Sequence, residues 1–203
     1  MIKKTFYNLP QEKKQRIIDA VMSEFSSSET GKVNINRIIK AANISRGSFY
    51  QYFDDKVDLV EVLAKKFVEQ SFDKLSKTQK SCDNDIFDTY EKLFDIITNF
   101  TRDNHKKLIL KNLLKNLRAN DDLISEYMLY RFDGLESLHT FCNKFNTENL
   151  RYKNDDDVKL LAQILTQELK NALFNVFVIG TEIEDEKNSY LRKLEIIKFG
   201  AIL

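Results

Sequence analysis

Arg46, Ser48, Tyr50, Gln51 and Tyr52 place five hydrogen-bonding side chains within a few residues of one another. A guanidinium fork, a hydroxyl, two phenols and a carboxamide are the groups that reach phosphate oxygens and base edges in a DNA major groove, with Arg suited to guanine and Gln to adenine. Phe49 and Phe53 stand four apart between them, the spacing of an inward helical stripe, and the five polar side chains lie off that stripe. Catalytic chemistry finds little elsewhere. His139 and Cys142 are three apart on one expected helix, compatible with two metal ligands, but no third Cys or His is near in sequence and His105 could join only through the fold. Cys82 and Cys142 fit neither a metal spacing nor a disulfide framework. There is no Gly-rich phosphate loop, nucleophile elbow or His-Glu-x-x-His motif. The acidic runs Asp54-Asp55 and Asp155–Asp157 sit at helix starts, where caps belong. No catalytic group, cofactor or metal is expected, and the chain does not read as an enzyme.

Presenting such side chains to a groove takes a short helix held at an angle to another, and Ile35–Lys56 has the shape of a helix-turn-helix. Asn34 is a good N-cap, with Ile35, Ile38 and Ile39 following at helical spacing as far as Ala41-Ala42. Asn43 tolerates the left-handed conformation of a tight turn, and Ile44 can plug the angle between the two helices. Ser45 is a second N-cap, opening the helix Arg46–Phe53.

At these residues the chain resembles a known family. The segment SRGSFYQYFDDKVDLVEVL is similar to the recognition helix and following helix of the tetracycline-repressor (TetR) family of bacterial transcriptional regulators, with Ser45, Gly47, Tyr50, Tyr52-Phe53, Lys56 and Leu59 in register. Phe6–Phe25 is similar to the family's first helix, so the match runs from about Phe6 to Leu63, under a third of the chain. Ile39 stands where the family commonly has Ala, and Asn43 where it commonly has Gly. The resemblance implies an all-α protein of about nine helices. Residues 1–56 would form a three-helix DNA-binding domain, joined by a long helix to a helical effector-binding and dimerisation domain over 57–203. It implies DNA contacts among Asn34, Asn36, Arg37, Ser45, Arg46, Gly47, Ser48, Tyr50, Gln51, Tyr52 and Lys56. It also implies a homodimer through the last two helices, double-stranded operator DNA as partner, and an unidentified small-molecule effector.

Composition agrees with a helical fold. Five Gly, one Pro and no Trp is little punctuation for 203 residues, whereas strand-rich folds need many turns. Fifteen Phe and eight Tyr can fill helix–helix seams. The net charge of +1 says nothing of nucleic acid, and the split of +3 over residues 1–60 against −2 beyond is mild, so the motif carries the DNA reading. The basic MIKKTFYNLP start lacks the apolar core of a signal peptide, and no window of eighteen uninterrupted apolar residues exists, which points to a cytoplasmic protein with no membrane contact.

In chain order, Lys3 and Lys4 lie on a short arm that fits either tracking of phosphates or the minor groove, or a frayed terminus. Ile17, Val21 and Phe25, with Ile18 and Met22, stripe the first long helix. Lys56 falls in the first turn of the helix after the motif, where an isolated cation is unfavourable but a bound phosphate would gain from both the lysine and the helix amides. An amphipathic helix is expected over Ile86–Asn104, and further helices over Lys106–Leu117, Leu123–Phe145, Val158–Gly180 and Glu184–Leu203. Val158–Gly180 is apolar around much of its girth and must be covered on more than one side. For an effector pocket the candidates are Phe94, Tyr127, Tyr130, Phe141 and Phe174, though cavities and cores use the same residue types. Three functions follow: a ligand-responsive DNA-binding regulator, a helical partner- or ligand-binding protein that does not read DNA in the usual way, and a helical enzyme or carrier. Salt-dependent binding to duplex separates the first from the other two, and turnover would mark the third.

Overall fold

The structure, a computed structural model, describes residues 2–27, 33–78, 85–119 and 145–202. Its helices are α1 (Lys4–Tyr7), α2 (Gln11–Ser27), α3 (Ile35–Ala41), α4 (Arg46–Tyr52), α5 (Lys56–Thr78), α6 (Ile86–Phe100), α7 (Asn104–Ala119), α8 (Asp155–Phe174), a π-helical turn (Asn175–Ile179) and α9 (Ile183–Ala201). No strand occurs among the described residues, where extended pairing is limited to an isolated bridge between Leu150 and Ile202. The fold is all-α, as expected. The helix expected over Leu123–Phe145 lies, but for Phe145, outside the described residues, as do Tyr127, Tyr130, Phe141, His139 and Cys142.

Two compact units share the chain: Met1–Val68 with Asp103–Ala119, and Glu69–Arg102 with Asn120–Leu203. The first unit is built on α2. Pro10 precedes this helix and its carbonyl accepts from Lys14 N at 3.0 Å, so the missing proline N–H leaves no bond unmade. Ile17, Val21 and Phe25 repeat every four residues and are fully buried, each side chain contributing about 1.5–3 kcal/mol to burial. Against α2 lie α3 and α7. Leu110, Leu113 and Leu114 of α7 are buried, and so is Asn112, whose Nδ2 donates to the Phe25 carbonyl at 2.7 Å. That bond partners one of the last carbonyls of α2, which the helix itself cannot satisfy.

The second unit packs α6, α8 and α9 together. Asp85 caps α6, accepting from Phe87 N and Asp88 N at 2.8 and 3.0 Å. Tyr90 of α6 donates its hydroxyl to the Ala162 carbonyl of α8 at 2.9 Å and meets Thr166 Oγ1 at 2.6 Å. Tyr190 of α9 is fully buried and donates to the Tyr90 carbonyl at 3.2 Å, and its ring stacks on Phe94 with centroids 5.3 Å apart. Burial pushes the Tyr190 phenol well above its usual range. Ion pairs Lys187–Asp95 (2.8 Å) and Lys193–Glu168 (3.3 Å) rim this seam.

Where one continuous helix over Val158–Gly180 was expected, the structure widens its last turn. Gly180 N bonds back to Asn175 O at 2.9 Å, five residues away, and Gly180 takes φ 95°, a left-handed end that glycine adopts without strain. Asn175 Nδ2 also donates to the buried Glu186 of α9 at 3.1 Å, a contact that no local pattern encodes.

Candidate nucleic-acid interface

The helix-turn-helix forms through the residues that its caps require. Asn34 Oδ1 accepts from Asn36 N and Arg37 N at 3.0 and 3.4 Å, opening α3. Asn43 takes φ 50°, and Ile44 N closes the end of α3 on the Ile39 carbonyl at 3.2 Å. Ser45 Oγ accepts from Ser48 N at 3.0 Å, opening α4. Phe49 and Phe53 are fully buried, with ring centroids 5.2 Å apart. Ile44 is half-buried in the turn, as an angle plug should be.

With Phe49 and Phe53 inward, Arg46, Gly47, Tyr50 and Gln51 are exposed. The Arg46 guanidinium lies 6.0 Å from the Tyr50 ring centroid, and Tyr50 in turn stands edge-on to Phe49 at 5.3 Å. Both outward groups are therefore braced by the core beneath them. Ser48 is half-buried, and its hydroxyl sits 2.9 Å from Ser45 Oγ, so it belongs to the cap. Gly47 has room: a Cβ there would meet only Ser45 Oγ, at an ordinary 3.8 Å.

Tyr52 differs from the sequence reading, which placed it off the inward stripe. It is 6% exposed, with ring centroids of Phe53 and Phe6 at 6.3 and 6.5 Å and Lys13 Nζ 5.5 Å from its own. The cause is α1, which lays the buried Phe6 over this end of α4 and so widens its covered face. The arm expected to be either a phosphate tracker or frayed is thus a folded turn, and Lys3 pairs with Asp54 at 2.7 Å.

Asn34, Asn36 and Arg37 are exposed at the start of α3. Glu24 of α2, a buried carboxylate that the sequence reading passed over, ties that start down. It accepts from Asn34 N at 3.0 Å and lies 3.9 Å from the Arg37 guanidinium. Its signal was an acid next to Phe25 on an apolar stripe, where exposure would otherwise be expected. Lys56 is exposed as the first residue of α5. Asp55 accepts from Val57 N and the buried Asp58 from Asp54 N, both at 2.7 Å, two carboxylate bonds that hold the turn presenting this lysine.

Other sequence-derived candidates lie in the second unit. Phe94 is 1% exposed in the α6–α9 seam, and Phe174 is half-buried at the end of α8. Neither lines the cleft of about 420 Å³ bordered by Phe87, Glu91, Arg192, Glu195 and Lys198. No group of three or more His, Cys, Asp or Glu side chains among the described residues is placed to hold a metal ion. No helix there is long and apolar enough to cross a membrane.

A capped helix-turn-helix with a braced polar outer face, followed by a helical second unit, defines a DNA-binding regulator of the helix-turn-helix class. Residues 17–63 match the family model for bacterial regulatory proteins of the tetR family. The chain is 26% identical over 158 residues, 76% of each protein, to the nucleoid occlusion factor SlmA of Actinobacillus pleuropneumoniae. It is 25% identical over 196 residues to an HTH-type transcriptional regulator of Staphylococcus aureus strain USA300, covering 94% of this chain and 96% of that one. Its fold is shared by a TetR-family regulator from Pectobacterium atrosepticum, at 15% identity, 95% of both chains and a TM-score of 0.58. Residues 17–63 thus carry the amino-terminal domain of the tetR family of bacterial regulatory proteins.

Proposed function

We propose that this protein is a ligand-responsive, sequence-specific regulator, a repressor that binds a near-palindromic operator as a homodimer and is released by a small molecule. The observation that carries the reading is the outer face of α4, where Arg46, Tyr50 and Gln51 stand exposed over the fully buried Phe49 and Phe53. Arg46 and Gln51 would read base edges, while Tyr50 and Lys56 would hold phosphates. Ser48 and Tyr52, both engaged inside the head, would set the helix rather than touch bases. Gly47 is compatible with close approach: the protein itself leaves space for a methyl group there, and a DNA backbone pressed against α4 would need that space empty.

One helix-turn-helix per chain needs a second for the other half-site. A dimer through α8 and α9 is supported by the large apolar side chains that these helices turn outward. Leu160 and Ile164 are 56% and 52% exposed, and Ile196 and Phe199 are 61% and 74% exposed, a concentration of apolar surface that marks an interface. The effector would enter the second unit, with Tyr127, Tyr130, Phe141 and Phe174 as candidate lining. It must bind the released state more tightly than the DNA-bound one, since equal affinity shifts nothing.

Selection from a random duplex pool with the purified full chain tests the reading. An enriched inverted repeat is expected. A folded dimer that enriches nothing would instead point to a partner-binding protein of the same fold.

A further inference from the structure

The last four carbonyls of a helix have no partner within it. In α4 these belong to Phe49, Tyr50, Gln51 and Tyr52. The chain running on from α4 satisfies one, through Phe53 N to Phe49 O at 2.9 Å. The amino-terminal segment satisfies the other three. Lys3 Nζ donates to Tyr50 O at 2.7 Å, Thr5 Oγ1 donates to Gln51 O, and Lys3 N donates to Tyr52 O at 2.9 Å. Lys3 also brings a cation to the negative end of the α4 dipole, where it is favoured, and Asp54 holds that cation at 2.7 Å. Phe6, 3% exposed, anchors the segment, with its ring centroid 5.0 Å from that of Phe53.

A helix of seven residues cannot hold its own shape in water. The amino end of α4 is fixed by Ser45, and its carboxyl end is fixed almost wholly by residues some 46 positions earlier in the chain. The segment also lies outside the residues 17–63 matched by the family model.

We propose that Lys3, Thr5 and Phe6 form a clasp that positions α4, so that base discrimination by Arg46 and Gln51 depends on residues that touch no DNA. The proposal rests on the reading of α4 as the DNA-reading helix. It assigns Lys3 to the protein's own carbonyls rather than to a phosphate. Phe6→Ala would open the core, so the test uses Lys3→Met/Thr5→Val, which keeps Phe6 in place. Lys4→Met removes the same charge from the neighbouring residue without touching a carbonyl of α4.

Two readouts on the full-length protein separate the possibilities. The first is hydrogen exchange of the α4 amides. The second is affinity for the selected repeat and for a scrambled duplex across a salt series. For the double variant the expected result is α4 exchange about tenfold faster and affinity for the repeat about tenfold weaker. Affinity for scrambled DNA and the salt slope should stay those of the wild type, and Lys4→Met should leave α4 exchange unchanged. A salt slope reduced by about 0.9 would make Lys3 a phosphate contact and overturn the clasp, as would unchanged exchange in the double variant. If the wild type binds no duplex, the DNA reading of α4 fails, and exchange alone then decides whether the clasp exists.

Discussion

The two units expose opposite kinds of side chain. On the first, the outward residues of α4 and the start of α5 are Arg46, Tyr50, Gln51 and Lys56. On the second, the outward residues of α8 and α9 include Leu160, Ile164, Ile196 and Phe199. Hydrogen-bond donors and a cation suit a polyanion, and the resulting attachment weakens as salt rises. Apolar side chains suit another apolar surface, and that attachment does not weaken as salt rises. The interiors differ as well. The first unit fixes a short element with caps and carbonyl partners, whereas the second packs long helices around Tyr90, Phe94 and Tyr190. Precision near α4 comes from hydrogen bonds, and bulk in the α6–α8–α9 body comes from aromatic packing.

Replacing Phe94 with Ala should give the largest effect. If Phe94 is packing, as its stack on Tyr190 indicates, the second unit loses about 3–5 kcal/mol, read as a lowered denaturant midpoint without ligand. An unchanged midpoint with lost effector response would instead make Phe94 a pocket residue and blur the contrast. Next comes the apolar face. Ile196→Asp/Phe199→Asp should weaken dimerisation about a hundredfold, because a carboxylate set against the partner's apolar surface replaces a favourable contact with an unfavourable one. Sedimentation velocity over a dilution series would show the shift, and a dimer as tight as the wild type would remove α9 from the interface. Smaller still, Gly47→Ala should leave the folded head within about 0.5 kcal/mol of the wild type or slightly more stable, yet weaken duplex binding about tenfold. Binding as tight as the wild type would show that α4 keeps its distance from the backbone.

The smallest effect is in pH. The Lys3 ammonium beside Asp54 holds that carboxyl below its usual range. A depressed carboxylate contributes stability above its unfolded value, and that contribution is lost as pH falls through the folded one. Wild type and Asp54→Asn should therefore differ in α4 exchange near neutral pH, begin to approach one another below about pH 3.8, the ordinary Asp value, and converge once pH lies below the depressed folded value. A difference that persists once the Asp54 carboxyl is fully protonated would mean that the pair does not hold the segment.

What was legible in the chain was what short-range chemistry controls. Asn34 and Ser45 cap because a side-chain oxygen two or three residues before a helical N–H reaches it, and Asn43 turns because Asn tolerates a positive φ. Phe49 and Phe53 declared the inward face of α4 by spacing alone. The burial of Tyr52 was not legible, because the ring that covers it, Phe6, comes from far up the chain and from a segment that reads as a polar arm. The placement of Asn112 against Phe25 is likewise tertiary, the partners lying 87 positions apart. The π turn depends on register and on Asn175 meeting Glu186. Phe94 was ambiguous for a different reason, since a core and a cavity draw on the same aromatic residues.

The division of labour on the outer face of the head is the central claim, and one measurement tests it most directly. Wild type, Gln51→Ala and Lys56→Ala are titrated against the selected repeat and a scrambled duplex over a range of salt. Gln51→Ala should lose about 1–3 kcal/mol of discrimination between the two duplexes and keep the wild-type salt slope. Lys56→Ala should weaken both duplexes alike and flatten the slope by about 0.9. Equal loss of discrimination in both variants, with no change in either slope, would contradict the account.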